Sequence, residues 1–362
     1  MNKTSIIQIE SIYSRFKESV YKKYFELFKN LDYLSICTFF GTTEWSGGQN
    51  VVQFLNPSVW SSNYILANFE IAQVKWAIEN GLKIDFGAVN YDEILSAQIN
   101  KIQPQVIYLS DIGSFNFDIL NVLNYKPLVV AWRATTISPD IPWNKIDLLL
   151  SGIEKLRLEA KNLGVKNTEK FMSAAPSYRR FCSDLNPADE SFGGAVFSGG
   201  LGVGLHDLRT QLFEHANQQL GNIIDIYSET RLPYAKTPVF GIDVVSLYSK
   251  YRTVVDFRAD FGHGELPYTR ETSNMRIFEA TRAGSLLLTE RCTNLQEYFD
   301  LGVEVETFGS SEEFIDKLKF YSDDVNEGAA RTIALNGYKR TIASHTIESR
   351  AIQFSNILKC YL

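Results

Sequence analysis

"GAVFSGGLGVGLHDLRTQLFEHANQQLG", residues 194–221, runs from an apolar strand over 195–198, through four glycines, into a helix that starts near His206. Glycines between a strand and a helix let backbone N–H groups come close to an anion, and the helix N-terminus adds partial positive charge. Leu208, Leu212, Ala216 and Leu220 recur every four residues and predict the buried stripe of that helix. His206 and Arg209 then fall on another face, beside the loop. Gly199, Gly200 and Arg209 are therefore candidate contacts for a diphosphate, with a simple tight turn as the structural alternative. The segment lacks the Gly-Lys-Ser/Thr of a P-loop and the strict GxGxxG spacing of a dinucleotide fingerprint.

On either side, short apolar runs alternate with helical stretches, which predicts parallel sheets covered on both faces. Downstream come the strand "IIDIYSE", the helix "DVVSLYSKY" and the strand "RTVVDFR". The helices "SSEEFIDKLKFYSDD" and "NEGAARTIALNGYKRTIASH" follow, and "TIESRAIQFSNILKCYL" closes the chain. Upstream, "VIYLS", "LVVAW" and "DLLLS" read as strands, and residues 5–30 as one long helix ahead of a β-rich "DYLSICTFFG". The polar, turn-rich "FCSDLNPADESFGG" (181–194) is the linker candidate. The expected fold class is α/β, with two doubly wound domains in series: 1–187, 188–345 and a terminal helix over 346–362. In such sheets ligands lie at the carboxyl ends of the strands, where strand order reverses.

At 362 residues the chain exceeds one ordinary core. Its apolar fraction of 45% and charged fraction of 22% are those of a soluble globular protein. A net charge of −6 with scattered Lys and Arg argues against a nucleic-acid footprint. No apolar run is long enough to span a bilayer, and the N-terminus does not read as a signal peptide. Cys37, Cys182, Cys292 and Cys360 are too scattered for a disulfide framework or a zinc site, which fits a reducing cytoplasm. The aromatic content of 13% serves either core packing or a groove that stacks sugar rings.

A second stretch, "RETSNMRIFEATRAGSLLLTE" (270–290), reads as a polar turn, a short helix, a glycine stop and a buried strand. Ser273 or Asn274 is the candidate N-cap, and Gly284 the stop. Arg276 and Glu279, three residues apart, share one helix face. They make either a solvated ion pair or half of a site in which the arginine meets phosphate and the glutamate holds ribose hydroxyls. The preceding loop, "RTVVDFRADFGHGELPYTRE" (252–271), carries Arg258, His263, Glu265, Arg270 and Glu271.

These residues resemble a known family. "TSNMRIFEATRAGSLLLTE", "LQEYFDLGVEVETFGSSEEFIDKL" and "SHTIESR" are similar to the C-terminal domain of CgeB-like glycosyltransferases, with Asn274, Arg276, Phe278, Glu279, Ala280, Gly284, His345 and Arg350 in the pattern positions. Ile347 departs from the usual aromatic. "ILANFEIAQVKWAIENG" (Asn68, Gln73, Trp76) and "FGTTEWS" extend the resemblance to the first half. It implies the GT-B fold, two Rossmann-like domains facing across a cleft, with a nucleotide-sugar donor on the C-terminal domain and the acceptor on the N-terminal one. It also implies a last helix crossing back to the first domain, no metal, and no cofactor apart from the donor substrate.

Carried onto this chain, the resemblance assigns Glu279 to the ribose, Arg276, Arg209 and the glycine loop to the donor's diphosphate side, and Asn274 to the donor site. The Glu271–Glu279 spacing is similar to the paired glutamates of retaining enzymes, which favours retention with His263 and Glu271 lining the sugar pocket. Inversion would instead need a base on the first domain, with Asp111 the first candidate and Glu44 the second; Asp111 also suits a helix N-cap. The expected activity is sugar transfer to a glycan or lipid-linked glycan acceptor of the surface-polysaccharide type. A nucleotide-sugar epimerase and a non-catalytic sugar-nucleotide-binding subunit are the alternatives. A cytoplasmic protein is expected, with peripheral attachment at the inner membrane face and a homodimer both left open. His345 and Arg350 suit a structural role at the domain junction.

Overall fold

The structure, a computed structural model, describes residues 3–43, 50–86, 88–177, 192–202, 204–260 and 267–362. Two compact units emerge: Met1–Met172 with Arg350–Leu362, and Ser173–Ser349. The boundary between them precedes the turn-rich stretch at 181–194, most of which lies outside the described residues.

The first unit is built on β1 (Thr4–Glu10), β2 (Trp60–Leu66), β3 (Val106–Leu109), β4 (Leu128–Trp132), β5 (Leu148–Ser151) and β6 (Asn167–Lys170). They form one sheet in the order β2-β1-β3-β4-β5-β6, and every pairing is parallel. Strand order reverses between β1 and β3. Ile7, Ile9, Ile107, Leu109, Val129, Ala131 and Leu149 form the core on one face of this sheet.

Two expectations are corrected here. Residues 5–30 are not one helix: β1 comes first, and α1 (Ser14–Asn30) starts only after it. Ile6, Ile7 and Ile9 are buried between β2 and β3, where β-branched side chains pack well and a central strand needs no polar face. "DYLSICTFFG" is not a strand but most of α2 (Tyr33–Thr43). The Asp32 carboxylate accepts the Ser35 amide at 2.7 Å, and Ile36, Cys37 and Phe40 point inward at helical spacing while Leu34 and Thr38 are exposed. The aromatics around these helices are packing, not a sugar groove. Phe40 meets Phe69 with ring centroids 4.7 Å apart, and Phe28 sits edge-on to Phe69 at 5.4 Å.

The resemblance motif in this half is structural too. The Asn68 side chain accepts the Ile12 amide and donates to the Ile12 carbonyl, both at 2.9 Å, and so clamps the turn after β1. Gln73 is buried and donates to the Leu66 carbonyl.

The second unit carries β7 (Phe192–Ser198), β8 (Ile224–Tyr227), β9 (Tyr251–Asp256), β10 (Leu286–Glu290) and β11 (Glu306–Phe308). Its order is β11-β10-β9-β7-β8, again wholly parallel, with the reversal between β7 and β9. The helix after the glycine loop, α6 (Asp207–Leu220), buries Leu212 and Ala216 as predicted and packs the partly buried Leu220 on the core, but does not bury Leu208. Leu208 is 41% exposed, whereas Arg209, Thr210, Leu212, Phe213 and Ala216 are buried. Phe197, Phe213, Phe308 and Phe314 stack the helical layer onto the sheet.

His345 also belongs to this unit's core, ringed by Phe278, Tyr298 and Phe299, with Nε2 donating to the Tyr298 carbonyl at 3.0 Å. From Arg350 onward α11 (Ile347–Lys359) belongs to the first unit. Phe354 packs on Tyr108 and Phe171, and the Trp60 indole donates to Ser355 at 2.9 Å. Among the described residues no helix is long and apolar enough to cross a membrane.

Candidate functional site

In the second unit the reversal point brings together the carboxyl ends of β7 and β9, and α8 (Arg276–Arg282) supplies the side chain that ties them. Asn274 organises the start of this helix. Its Oδ1 accepts the Arg276 amide at 3.0 Å, and its Nδ2 donates to Asp256 Oδ1 at 2.9 Å. Met275, not Ser273 or Asn274, occupies the cap position, so Asn274 closes a turn just ahead of the helix. Gly284, with φ 76°, follows the last turn as expected.

Arg276 does not stand open to solvent as a free phosphate ligand. It is 13% exposed, pairs through Nη1 with Asp256 Oδ1, and donates from Nε and Nη2 to the Ser198 carbonyl at 3.2 and 2.7 Å. The reason is Asp256, 1% exposed at the end of β9, whose buried charge needs a partner. Arg209 lies beside the loop as expected, but buried rather than open to solvent. It donates to the carbonyls of Phe257 (2.9 Å) and Gly200 and to His206 Nδ1 (2.7 Å). Both guanidinium groups lie against the Phe197 ring, at 4.8 and 4.7 Å.

Two further buried arginines complete the cluster. Arg270 pairs with Glu290 at 2.8 Å, both side chains almost fully buried, and Glu290 also accepts the Arg258 amide at 2.9 Å. Arg258 is buried, and its Nη1 has no hydrogen-bond partner among the described residues. Four arginines thus face Asp256, Glu290 and the half-buried Glu279. Burial pushes the Glu279 carboxyl up to about 7 against the pull of Arg276, so much of its charge is missing at neutral pH. Burial, and then the neighbouring Arg276 charge, push Arg209 down to about 9. Among the described residues this cluster holds more buried positive than negative charge.

The glycines fit tightly into this arrangement. A methyl group at Gly199 would stand 2.6 Å from Arg276 Nη2 and 2.9 Å from the Phe197 ring; one at Gly200 would stand 2.5 Å from His206 Nε2. The loop amides are not a ready phosphate cradle, however. Gly199 N–H bonds the Tyr227 carbonyl (2.9 Å), Leu201 N–H the Thr230 hydroxyl (3.3 Å) and Gly202 N–H the Thr210 hydroxyl (2.8 Å). Because Arg276 has no room to give way, Gly199→Ala should destabilise the second unit by about 1–3 kcal/mol. Denaturant unfolding with an unchanged m-value is the check.

In the first unit Asp111 follows β3 at the other reversal point. It caps a turn and not a helix. Oδ1 accepts the Gly113 amide (3.1 Å), and Oδ2 accepts the Ser114 hydroxyl (2.6 Å), which in turn accepts from Ser11 beyond β1 (2.6 Å). Each oxygen keeps a lone pair for another donor. Arg133, after β4, feels Asp111's charge; burial holds its guanidinium below the usual range, and Nε donates to the Thr136 carbonyl. A separate cavity of about 590 Å³ lies beside the edge strand β2, lined in part by Tyr33, Asn63, Trp76 and Lys101, and holds none of the predicted site residues.

The structure therefore gathers Gly199, Gly200, Arg209, Asn274, Arg276 and Glu279 in one unit. Glu271 is half-buried in the stretch leading to α8. His263 and Glu44 lie outside the described residues. Sequence reading missed Asp256 and Glu290; the available signal was an acid closing an otherwise apolar strand, "TVVD" and "LLLTE". Among the described residues no group of three His, Cys, Asp or Glu could hold a metal ion.

Residues 209–356 match the model of a family described as glycosyl transferase-like. The matched region begins at Arg209 and takes in β8 to β11, α8 and most of α11. Similar solved structures extend over the whole chain. The Anabaena HepE protein, solved in complex with UDP-glucose, is 10% identical over 98% of this chain and 99% of its own, with a TM-score of 0.56. A Rickettsia africae glycosyltransferase gives 12% identity, 99% and 98% coverage, and 0.55. Sucrose-phosphate synthase from Thermosynechococcus elongatus gives 10%, 99% of both chains, and 0.53.

The chain has the GT-B fold. At these identities the likeness is one of fold. No curated protein matches the sequence. In the GT-B fold both units are Rossmann-like, as the two 2-1-3-type strand orders require.

Proposed function

We propose that this chain is a glycosyltransferase that moves a sugar from a nucleoside-diphosphate sugar to an acceptor hydroxyl, with the donor held on the second unit. The observation that carries this reading is the buried excess of arginine at the reversal point between β7 and β9. Unmatched buried charge is expensive to hold, and a diphosphate is the ligand class that offsets it. The glycosyl transferase-like family match over 209–356 supports it, as does the similarity to HepE, a protein solved with UDP-glucose.

In this reading Arg258 and its neighbours stabilise the negative charge that builds on the leaving diphosphate, and a single such group is worth roughly 3 kcal/mol. Glu279 holds ribose hydroxyls, and Asn274 and Arg276 position the ends of β7 and β9. Asp111 has the lone pairs to take the acceptor's proton if the reaction inverts; Glu271 and His263 line the sugar pocket if it retains, the outcome favoured by the Glu271–Glu279 spacing. The arginines take the part of a metal ion, and the acceptor is a glycan of the surface-polysaccharide type made on the cytoplasmic side. The motif Asn274-x-Arg276-x-Phe278-Glu279-Ala280 supports the CgeB-like subgroup.

A thermal-shift panel of nucleoside diphosphates and nucleotide sugars, run with and without EDTA, tests this. The matching nucleotide should add about 2.7 kcal/mol of stability at a hundred times its Kd, unaffected by chelator. No stabilisation by any of them, inorganic pyrophosphate included, would overturn the reading.

A further inference from the structure

The glycine loop poses a problem for a diphosphate, because three of its amides are already bonded within the protein. One donor nearby is held differently. His206 precedes α6, and its Nδ1 lies 2.7 Å from Arg209 Nη2. An arginine only donates, so Nδ1 accepts and a neutral ring must carry its proton on Nε2. Nε2 in turn sits against Gly200, where a single added methyl would come within 2.5 Å of it.

Resting on the donor-site reading above, we propose that His206, locked as the neutral Nε2–H tautomer, gives the diphosphate the hydrogen bond that the loop amides withhold. Three features converge on this. Arg209, buried and fixed by the carbonyls of Phe257 and Gly200, cannot rotate away and free Nδ1. Burial and the charges of Arg209 and Arg276 push the imidazole down to about 4, so the ring stays uncharged through the physiological range. Gly200, lacking a side chain, is what lets the ring pack there, since a methyl group would stand 2.5 Å from Nε2. His206 adds direction without adding a further cation to a crevice already crowded with arginine. The sequence gives this contact to a side chain where a glycine loop ordinarily uses backbone.

The test is long-range 1H–15N NMR of the full chain, with inorganic pyrophosphate, which has no base to recognise, and UDP as probes. His206 should show the Nε2–H tautomer before and after addition, with its Nε2 resonance moving on binding. His206→Phe should weaken both probes about tenfold, and His206→Gln, which restores a donor near the Nε2 position, should recover most of that loss. A ring protonated on Nδ1, or an unmoved Nε2 resonance with wild-type affinity in His206→Phe, overturns the proposal and leaves the donor-site reading intact. Failure of both pyrophosphate and UDP to bind the wild-type chain overturns the proposal and counts against the donor-site reading as well.

Discussion

Replacing Arg276 by alanine should destabilise the second unit by about 3–5 kcal/mol and reduce transfer at least a hundredfold. The first effect follows from Asp256. With the guanidinium gone, a carboxylate 1% exposed keeps, among the described residues, only Asn274 Nδ2 and the Thr289 hydroxyl as donors, and its charge is unmatched. The second follows from Ser198, whose carbonyl at the end of β7 loses two donors, so the glycine loop is no longer fixed against β9. The two effects separate in Arg276→Met with Asp256→Asn, which removes both charges. Replacing a buried pair by neutral groups is often close to neutral in stability, so unfolding should return near wild type while transfer stays low. Normal kcat/KM in that double variant would reduce Arg276 to a strut. Arg276→Lys should not rescue, since one ammonium cannot reproduce the fork that reaches Asp256 and Ser198 together.

Glu279→Gln should act in the opposite direction on stability, and only at higher pH. The folded state holds this carboxyl's proton up to about pH 7, against an ordinary value of 4.5. Between those two values the folded protein binds a proton that the unfolded chain has released, so stability falls as pH rises, and above pH 7 the full penalty of a buried anion applies. The difference corresponds to about 3 kcal/mol. The glutamine variant lacks the titration. Denaturant midpoints should therefore coincide near pH 4 and favour the variant by up to that amount at pH 8. The donor should bind about tenfold more weakly at pH 8, because a neutral amide is a poorer acceptor for ribose hydroxyls than a carboxylate. Equal stability at pH 8 would mean the carboxylate ionises freely, and unchanged donor affinity would remove Glu279 from the site. A residue that lowers stability while binding ligand is the usual compromise of a functional crevice.

The parts of this molecule written in local sequence were legible in it. A strand, a glycine run and a helix within 194–221 require a Rossmann-type unit, and the alternation of apolar runs and helices repeats that unit upstream. Residues 5–30 misled because Ile6, Ile9, Tyr13, Phe16 and Val20 are spaced three and four apart, a helical period running straight through a strand. A central parallel strand is buried on both faces and has no alternation to contradict that period. Gln8 and Glu10, which look like a solvated helix face, are buried in the sheet instead. In α6 Leu212 and Ala216 of the expected stripe are buried, but Leu208 is exposed and Arg209 beside it turns inward while still bonding the loop at Gly200. At the site, Asn274, Arg276 and Glu279 lie within six residues of one another and could be read together. Their true partners, Asp256 and Ser198, come from strands made adjacent only by the order β10-β9-β7, which no short window of sequence contains.

The final helix has a bearing on how the protein is made. The first unit, although its sheet comes almost entirely from the early residues, takes Phe354 and Ser355 from a segment synthesised after the whole second unit. On the ribosome, then, the amino-terminal sheet must wait, with Tyr108 and Phe171 missing their neighbour, while the later unit emerges and assembles. Completion of the early half comes only after the later half has been made.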